Sequence, residues 1–253
     1  MQAKASLEDT LALMRDLRAR CDWDAAQTHQ SLRPYLLEET LEVDDALRLG
    51  NDSLLRDELG DLLLQVVFHS VIAEERQAFD LHDVAGALMS KMKQRHPQLY
   101  GDGVAIPWER QKAKSRESLA DGLPLELPAL HRAHRLQDRA AGVGFDWDDV
   151  TGPLAKVREE VEEVTAEIEQ PNDDPLVARD ALEGELGDLL FAVVNLCRKA
   201  NVHAAVALDR ANLKFVRRFS AVEQLAKERG VHVGTATLAE LDLLWDDVKR
   251  AGG

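Results

Sequence analysis

Glu185 and Asp188 are the residues whose type, spacing and surroundings point most directly to chemistry. They are the only charges between Glu183 and Cys197, in a stretch that is otherwise nearly apolar. Carboxylates three residues apart share one face of a helix, and a helix this apolar is expected to be buried. Unpaired buried carboxylates are costly unless they bind a proton or a cation. The pair therefore predicts a metal site.

The same four letters, Glu-Leu-Gly-Asp, occur again at 58–61, also before an apolar run. In each half a further pair of acids lies on the preceding predicted helix, and a short turn-forming loop separates the two helices. The two predicted quartets are Glu39, Glu42, Glu58 and Asp61 in the first half, and Glu160, Glu163, Glu185 and Asp188 in the second.

A test of register supports these quartets. Helices joined by so short a loop should pack antiparallel, so residues equally far from the turn lie at the same height. Gly50 is the midpoint of both acid pairs of the first half, and Asp174 is the midpoint of both pairs of the second. We therefore expect each quartet to converge, in the first half roughly 12 Å below the hairpin tip.

The elements that must position these acids are helices. Long stretches rich in Ala, Leu, Glu and Arg, with 5% aromatic residues, favour helix almost throughout. A helix is expected over 7–20, another with Pro34 in its first turn, and a third capped by Ser53 that ends near Glu75. The expected fold is all-α, with two tandem helical-bundle domains, each built on an antiparallel hairpin that carries the acids.

Because the Lys-Arg pair Lys91 and Arg95 recurs as Lys214 and Arg218, among other features in the same order, we infer a duplication. Prolines and a glycine at 121–128 predict a linker. The expected domains are therefore 1–120 and 129–253.

Composition excludes several classes of function. A formal net charge of -15 argues against sequence-independent binding to nucleic acid or to an anionic membrane, which requires clustered Lys and Arg. Two cysteines far apart in sequence fit neither a disulfide framework nor a zinc spacing. Charges throughout residues 1–24 and the lack of a long apolar run argue against a signal peptide and a membrane span. We therefore expect a cytoplasmic protein.

Four converging carboxylates repel one another unless a cation lies among them. All-oxygen ligation favours Mg²⁺, with Mn²⁺ possible, over zinc. No histidine stands in the Glu-x-x-His spacing of a di-iron bundle. Because protein-bound Mg²⁺ commonly coordinates substrate phosphates, the expected substrate is a polyphosphate.

At this point the sequence resembles a known family. Glu159-Glu160-x-x-Glu163 followed by Glu185-x-x-Asp188 resembles the E-E-x-x-E and E-x-x-D signature of all-α nucleotide pyrophosphohydrolases. The residues around Trp23, the run 144–147, the pair Lys214 and Arg218, and Trp245 with Lys249 are similar to the two-domain form of the MazG family. The resemblance implies Mg²⁺-dependent cleavage of a nucleoside triphosphate to a monophosphate and pyrophosphate, by a homodimer.

From these patterns we assign hypothetical roles. The second quartet holds the metal, Glu159 acts as base, and Lys214 and Arg218 bind the outer phosphates and assist catalysis. The other expected substrate-binding residues are Lys156, Trp147, Asn195, Trp245 and Lys249, with the tryptophans expected to stack on a base.

The second half is the expected catalytic one. Seven residues past the last acid it has Asn195, where the first half has Phe68, and an amide can hydrogen-bond a base or sugar whereas a phenyl ring cannot. In the MazG family this Asn goes with the catalytic domain, so the first half is expected to be a binding, regulatory or weakly active copy. Two alternatives stay open: a non-catalytic nucleotide-sensing or interaction scaffold, and a hydrolase that removes one non-canonical nucleotide.

Overall fold

The computed structural model describes residues 4–101, 103–104, 108–113 and 116–252. Within these ranges the chain forms helices and no β-strand, so the all-α prediction is confirmed. The helices are α1 (Leu7–Arg20), α2 (Asp22–Ala26), α3 (Arg33–Leu49), α4 (Asp52–Glu75), α5 (Leu81–Arg95), α6 (Pro97–Tyr100), α7 (Trp108–Ala113), α8 (Ala129–Gly142), α9 (Thr151–Glu169), α10 (Pro175–Lys199), α11 (Ala204–Glu228) and α12 (Leu238–Arg250).

The chain divides into two compact units, Met1–Ala105 and Ile106–Gly253. This division comes earlier than the predicted linker at 121–128, which lies inside the second unit. Two contacts explain the difference: Arg135 of α8 donates to Glu109 of α7 at 2.5 Å, and buried Arg139 donates to the carbonyls of Leu119 and Asp121 at 2.5 and 2.9 Å. The limits within which each half folds independently stay a prediction.

In the first unit, α3 and α4 form the expected hairpin. Pro34 lies in the first turn of α3, and Gly50 ends that helix in the left-handed conformation with φ 62°. The predicted cap of α4 at Ser53 is wrong. Asn51 caps the helix instead, because its side-chain oxygen accepts from the backbone N–H groups of Ser53 and Leu54. The core of this unit joins α1 to the far end of α4, through Leu11, Met14, Leu32, Val67, Phe68, Val71 and Ile72.

The second unit repeats the hairpin with α9 and α10. Asp174 caps α10 by accepting from the backbone N–H of Leu176, and Pro175 occupies the first turn. Helix α8 packs against α10, where Gln137 donates to the carbonyl of Phe191 at 2.8 Å. Helices α11 and α12 pack together around Val222, Ala226, Leu244 and Val248.

The expected burial of α10 is only partly observed. Ala192 and Val194 are buried, but Leu186, Leu190 and Phe191 are 43%, 60% and 45% exposed. The reason is that α10 is apolar on more than one side, whereas α8 and α9 cover only part of its circumference within the unit.

In the described ranges no single helix is long and apolar enough to span a membrane, although α10 and α11, bent by 103° at their junction, pass that test as a pair.

Candidate active site

The α9–α10 hairpin brings together Glu160, Glu185 and Asp188. Each offers one carboxylate oxygen, and the three oxygens lie within 4.8 Å of one another. The three side chains differ in burial: Glu160 is 3% exposed, Glu185 is half-buried and Asp188 is exposed. Glu160 and Asp188 are equally far from the hairpin turn, and Glu185 lies three residues before Asp188 on the same face of α10, so the hairpin brings the three charges together.

Lys156 already neutralises part of this charge. Its ammonium lies 2.5 Å from Oε1 of Glu160 and 3.0 Å from Oε1 of Glu159. Hydrogen bonds to these two carboxylates, first that to Glu160, raise the pKa of Lys156 above its ordinary value. The lysine is therefore a cation held at the cluster by the helical i, i+4 spacing.

Glu163 lies beside this group rather than within it. Loss of hydration, followed by the nearby carboxylates of Glu160 and Glu185, raises the pKa of Glu163, although Lys156 opposes the shift. The hairpin thus holds more negative charge than Lys156 balances.

The chemistry of the donors fits a hard divalent cation. Oε2 of Glu160 is buried and has no hydrogen-bond partner in the described part of the chain. The nearby carboxylates of Glu185 and Asp188 cannot supply one, because ionised carboxylates only accept hydrogen bonds. A buried carboxylate oxygen without a partner is costly. An oxygen-only set of this kind suits Mg²⁺ or Mn²⁺ rather than zinc.

A cavity of about 590 Å³ lies further along α10, between that helix, α8 and the loop 144–147. Two residues predicted to bind substrate, Trp147 and Asn195, line this cavity. Most of its wall is apolar or aromatic, and its polar groups are few; the lining residues are Leu119, Leu136, Gln137, Ala140, Gly144, Phe145, Asp146, Trp147, Phe191, Asn195 and Arg198.

Ion pairs and a close approach fix the mouth of this cavity. Arg198 donates to both Asp146 and Oδ1 of Asn195. Burial favours a higher pKa for Asp146, but the hydrogen bonds from Arg198 and Lys199 outweigh it and lower that pKa. Gly152 lies under the indole of Trp147, so that a Cβ at this position would approach the ring to 2.4 Å. The glycine therefore allows the tryptophan to lie against α9.

The remaining predicted residues lie on α11 and α12. Lys214 is exposed and Arg218 is half-buried, while Trp245 packs against the ring of Phe215 at 5.6 Å. Lys249 pairs with Asp246 at 3.4 Å. Within the described ranges, no hydrogen bond or ion pair joins Lys214 or Lys249 to the acids of α9 and α10.

The first hairpin forms a similar group from Glu39, Glu42 and Glu58, with one oxygen of each within 4.8 Å of the others. Asp61 is outside the group, but its charge adds to the effect of burial and raises the pKa of Glu39. Four residues before Glu39 stands Tyr35, in the place that Lys156 has before Glu160. The two hairpins thus share their acids but not the lysine.

The halves also differ beyond the acids. Phe68, which corresponds to Asn195, is 3% exposed in the core of the first unit, and the guanidinium of Arg18 lies 5.7 Å from the centre of its ring. In the first unit this position therefore offers no polar group to a ligand.

Sequence reasoning missed several contacts between distant residues. Gln137 and Arg198, which line the cavity, had no motif to mark them. His131 and His134 fit no sequence pattern that indicates a partner, yet both rings pack against His203, with centroids 4.7 and 4.5 Å apart. Their i, i+3 spacing on α8 was the only available signal, and it does not indicate a third histidine 69 residues later.

With the geometry established, comparison with known proteins adds the family. The MazG nucleotide pyrophosphohydrolase domain matches the chain twice, over residues 27–100 and 151–223, which together exceed half of its length. The chain belongs to the MazG family. The two matches confirm two tandem all-α repeats, and each contains one acid hairpin of the MazG chain.

Several curated relatives match this chain over nearly its whole length, and another matches about two thirds of it. The nucleoside triphosphate pyrophosphohydrolase of Escherichia coli (strain K12) is 41% identical over 249 residues, which cover 94% of this chain and 93% of that protein. The nucleoside triphosphate pyrophosphohydrolase/pyrophosphatase MazG of Thermotoga maritima is 40% identical over 257 residues, 98% and 97% of the two chains. The nucleoside triphosphate pyrophosphohydrolase of Mycobacterium tuberculosis is 40% identical over 176 residues, 66% and 53% of the two chains.

Proposed function

We propose that this MazG chain is a Mg²⁺-dependent hydrolase that cleaves nucleoside triphosphates between the α and β phosphates, releasing a nucleoside monophosphate and pyrophosphate. The observation that carries the proposal concerns Glu160: its buried Oε2 lies beside Glu185 and Asp188 and has no hydrogen-bond partner among the described residues. The proposal is further supported by the similarity of the chain, which is 41% identical over nearly its full length to a nucleoside triphosphate pyrophosphohydrolase.

The residues that would hold the metal are Glu160, Glu163, Glu185 and Asp188. When bound, Mg²⁺ supplies positive charge that orients the phosphates and offsets the negative charge on the departing pyrophosphate. Mn²⁺ suits the same oxygen donors.

The side chains around the metal ligands supply the rest of the chemistry. Glu159 faces solvent with its side chain 58% exposed, at 3.0 Å from Lys156, and in our mechanism it accepts the proton of the attacking water. The water oxygen then bonds to the α phosphorus as the bond to the bridging oxygen breaks. Lys156, Lys214 and Arg218 bind phosphate oxygens and hold the chain of phosphates in line.

We assign catalysis to the second half. It has the lysine at the acid group, which the first half replaces by Tyr35, and it has Asn195 in an open cavity where the first half has buried Phe68. The first half then serves as a binding, regulatory or weakly active copy, with Glu39, Glu42, Glu58 and Asp61 as a second metal-like group.

We further propose a homodimer. Exposed apolar side chains on α10 include Leu186 and Leu190, and α9 adds Val161 and Ile168, which are 48% and 61% exposed. Exposed apolar side chains grouped on one hairpin are typical of an association interface. Light scattering coupled to size-exclusion chromatography should give twice the mass of the 28.1 kDa chain.

The decisive experiment compares Glu185→Gln with Glu58→Gln. Each protein is incubated with Mg²⁺ and ATP, and AMP and pyrophosphate are measured by ion-exchange chromatography. We expect Glu185→Gln to abolish both products and Glu58→Gln to retain most activity, with circular dichroism showing that both variants fold. An active Glu185→Gln beside an inactive Glu58→Gln would reverse the assignment of the halves.

The same assay separates the alternatives. ATP binding without AMP formation by the unmodified protein would favour a nucleotide-sensing scaffold. A panel of triphosphates in which a single modified base reacts would favour a sanitising hydrolase.

A further inference from the structure

Gln137 of α8 has a side-chain amide whose nitrogen is hydrogen-bonded and whose oxygen is not, within the described residues. The side chain is 6% exposed, and its Nε2 donates to the carbonyl of Phe191 at 2.8 Å. Because a carbonyl oxygen only accepts, this bond fixes which end of the amide is nitrogen. The other end, Oε1, is buried and has no hydrogen-bond partner in the described residues. A folded protein rarely leaves such an acceptor unsatisfied without a use for it.

Asn195 lies one helical turn after Phe191 on α10, and in its amide it is the oxygen, rather than the nitrogen, that is already hydrogen-bonded. Its Oδ1 accepts from Nε and Nη2 of Arg198 at 3.1 and 2.8 Å. The fork of Arg198 therefore orients this amide, and Nδ2 keeps its hydrogens for another acceptor. Since Gln137 is bonded to the carbonyl of Phe191, one helical turn before Asn195, both amides lie at the same stretch of α10.

Both amides belong to the same cavity of about 590 Å³. That volume lies within the range of small-molecule sites, and a mostly apolar wall with a few fixed polar groups is the usual composition of such sites. Trp147 and Phe145 add flat aromatic surface that is 48% and 83% exposed. A flat heteroaromatic ring with a donor and an acceptor on its edge matches this arrangement, and every nucleobase is such a ring.

The distance from Asn195 to the acid group matches the distance from the base to the phosphates of one nucleotide. Asn195 follows Asp188 by seven residues on α10, which corresponds to about 10 Å along the axis. A nucleotide whose phosphates lie at the acids can therefore place its base beside Asn195. Gln137 and Trp147 also lie outside the segment 151–223 that matches the MazG domain, so this wall of the cavity is not part of the matched domain.

We infer that Gln137 is a specificity-determining residue, whose Oε1 accepts a hydrogen bond from an N–H of the substrate base while Nδ2 of Asn195 donates to the same base. The inference rests on the proposed function, because it assumes that the ligand is a nucleoside triphosphate. Gln137 selects the base and takes no part in cleavage.

The test uses the full chain with Gln137→Met, which keeps the length of the side chain and removes its polar atoms. The matched control is Gln65→Met, because Gln65 of the first unit is 4% exposed and also has a buried, unpaired Oε1. The values of kcat/KM are measured with Mg²⁺ for ATP, CTP, GTP, UTP and for ribose 5′-triphosphate, which has no base.

We expect Gln137→Met to lower kcat/KM for the preferred nucleotide about 3- to 10-fold, the loss of one hydrogen bond. Ribose 5′-triphosphate should change less than about 2-fold, and Gln65→Met should leave the ranking of the four nucleotides intact. An equal loss for the base-free substrate, or no loss for any nucleotide, would overturn the role of Gln137.

A binding measurement separates this inference from the proposed function. Isothermal titration calorimetry with α,β-methylene nucleoside triphosphates and with inorganic tripolyphosphate gives Kd values that need no cleavage. If no triphosphate is cleaved, a 3- to 10-fold weaker Kd for nucleotides alone in Gln137→Met still supports the base contact. Equal Kd values for the variant and the unmodified protein would sink it.

Discussion

The acid group of the second hairpin should make the metal-free protein less stable than a variant with fewer acids. We consider Asp188→Asn, which removes one exposed charge and keeps the shape of the side chain. Two unit charges 4.8 Å apart repel by about 1 kcal/mol at the permittivity of water and by about 3.5 kcal/mol at an effective permittivity of 20. Because Asp188 is exposed and Lys156 offsets part of the charge of Glu160, we use the lower value.

Removing the repulsion from Glu160 and Glu185 should then stabilise the metal-free protein by about 1–2 kcal/mol. For a chain of this size, each kcal/mol raises the unfolding temperature by about 2–4 °C. In excess Mg²⁺ the order should reverse, since a ligand at 100 times its Kd stabilises the folded state by about 2.7 kcal/mol and the variant has lost a ligand. Differential scanning calorimetry in EDTA and in Mg²⁺ measures both effects.

The control is Asp180→Asn, an exposed acid of α10 outside the group. It should change stability by less than about 0.5 kcal/mol in either condition. The reasoning is refuted if Asp188→Asn lowers the unfolding temperature in EDTA, or if Mg²⁺ stabilises the variant as much as the unmodified protein.

Three further predictions concern neighbouring residues. Lys156→Met should destabilise the metal-free protein, because it leaves the buried carboxylate of Glu160 unpaired; an unchanged urea midpoint in EDTA would contradict this. Burial is the main cause that lowers the pKa values of His134 and His203 below their ordinary value of 6.5, and it outweighs the opposing charge of Asp138. The unfolded chain therefore binds these protons first, and stability should fall below about pH 6.5 by up to about 1.4 kcal/mol per pH unit for each histidine. Urea titrations at several pH values should show a flatter slope when both are replaced by Gln. Gly152→Ala should displace the indole of Trp147, which shifts its fluorescence and lowers kcat/KM for ATP; identical spectra would show that the contact is not needed.

The acid groups were predictable because their position depends on local rules. Helical periodicity places acids three residues apart on one face, and the hairpin turns at Gly50 and Asp174 fix their height. The same rules did not predict which three acids of each quartet have converging oxygens. Asp61 and Glu163 lie at the expected level but outside the groups of three converging oxygens, because equal height in a hairpin leaves the direction of each side chain open.

Contacts between distant residues were not predictable from periodicity. The bond from Gln137 to Phe191 spans 54 residues, and the pairing of Arg198 with Asp146 spans 52. Such contacts depend on how α8 and the loop after it pack on α10. The expected burial of α10 was only partly observed for a related reason. Hydropathy shows that Leu190 favours an apolar environment, but it does not show whether the same chain provides that environment.

The anchoring of the segment before α8 has a consequence for how this protein diversifies. Leu119 forms part of the cavity wall, and it is held there through its carbonyl by one buried guanidinium, that of Arg139. No acid of the hairpin takes part in this anchor. Insertions or exchanges in the connecting segment can therefore reshape the cavity without disturbing the acid group of α9 and α10, so the shape of the cavity and the composition of the acid group are free to evolve separately.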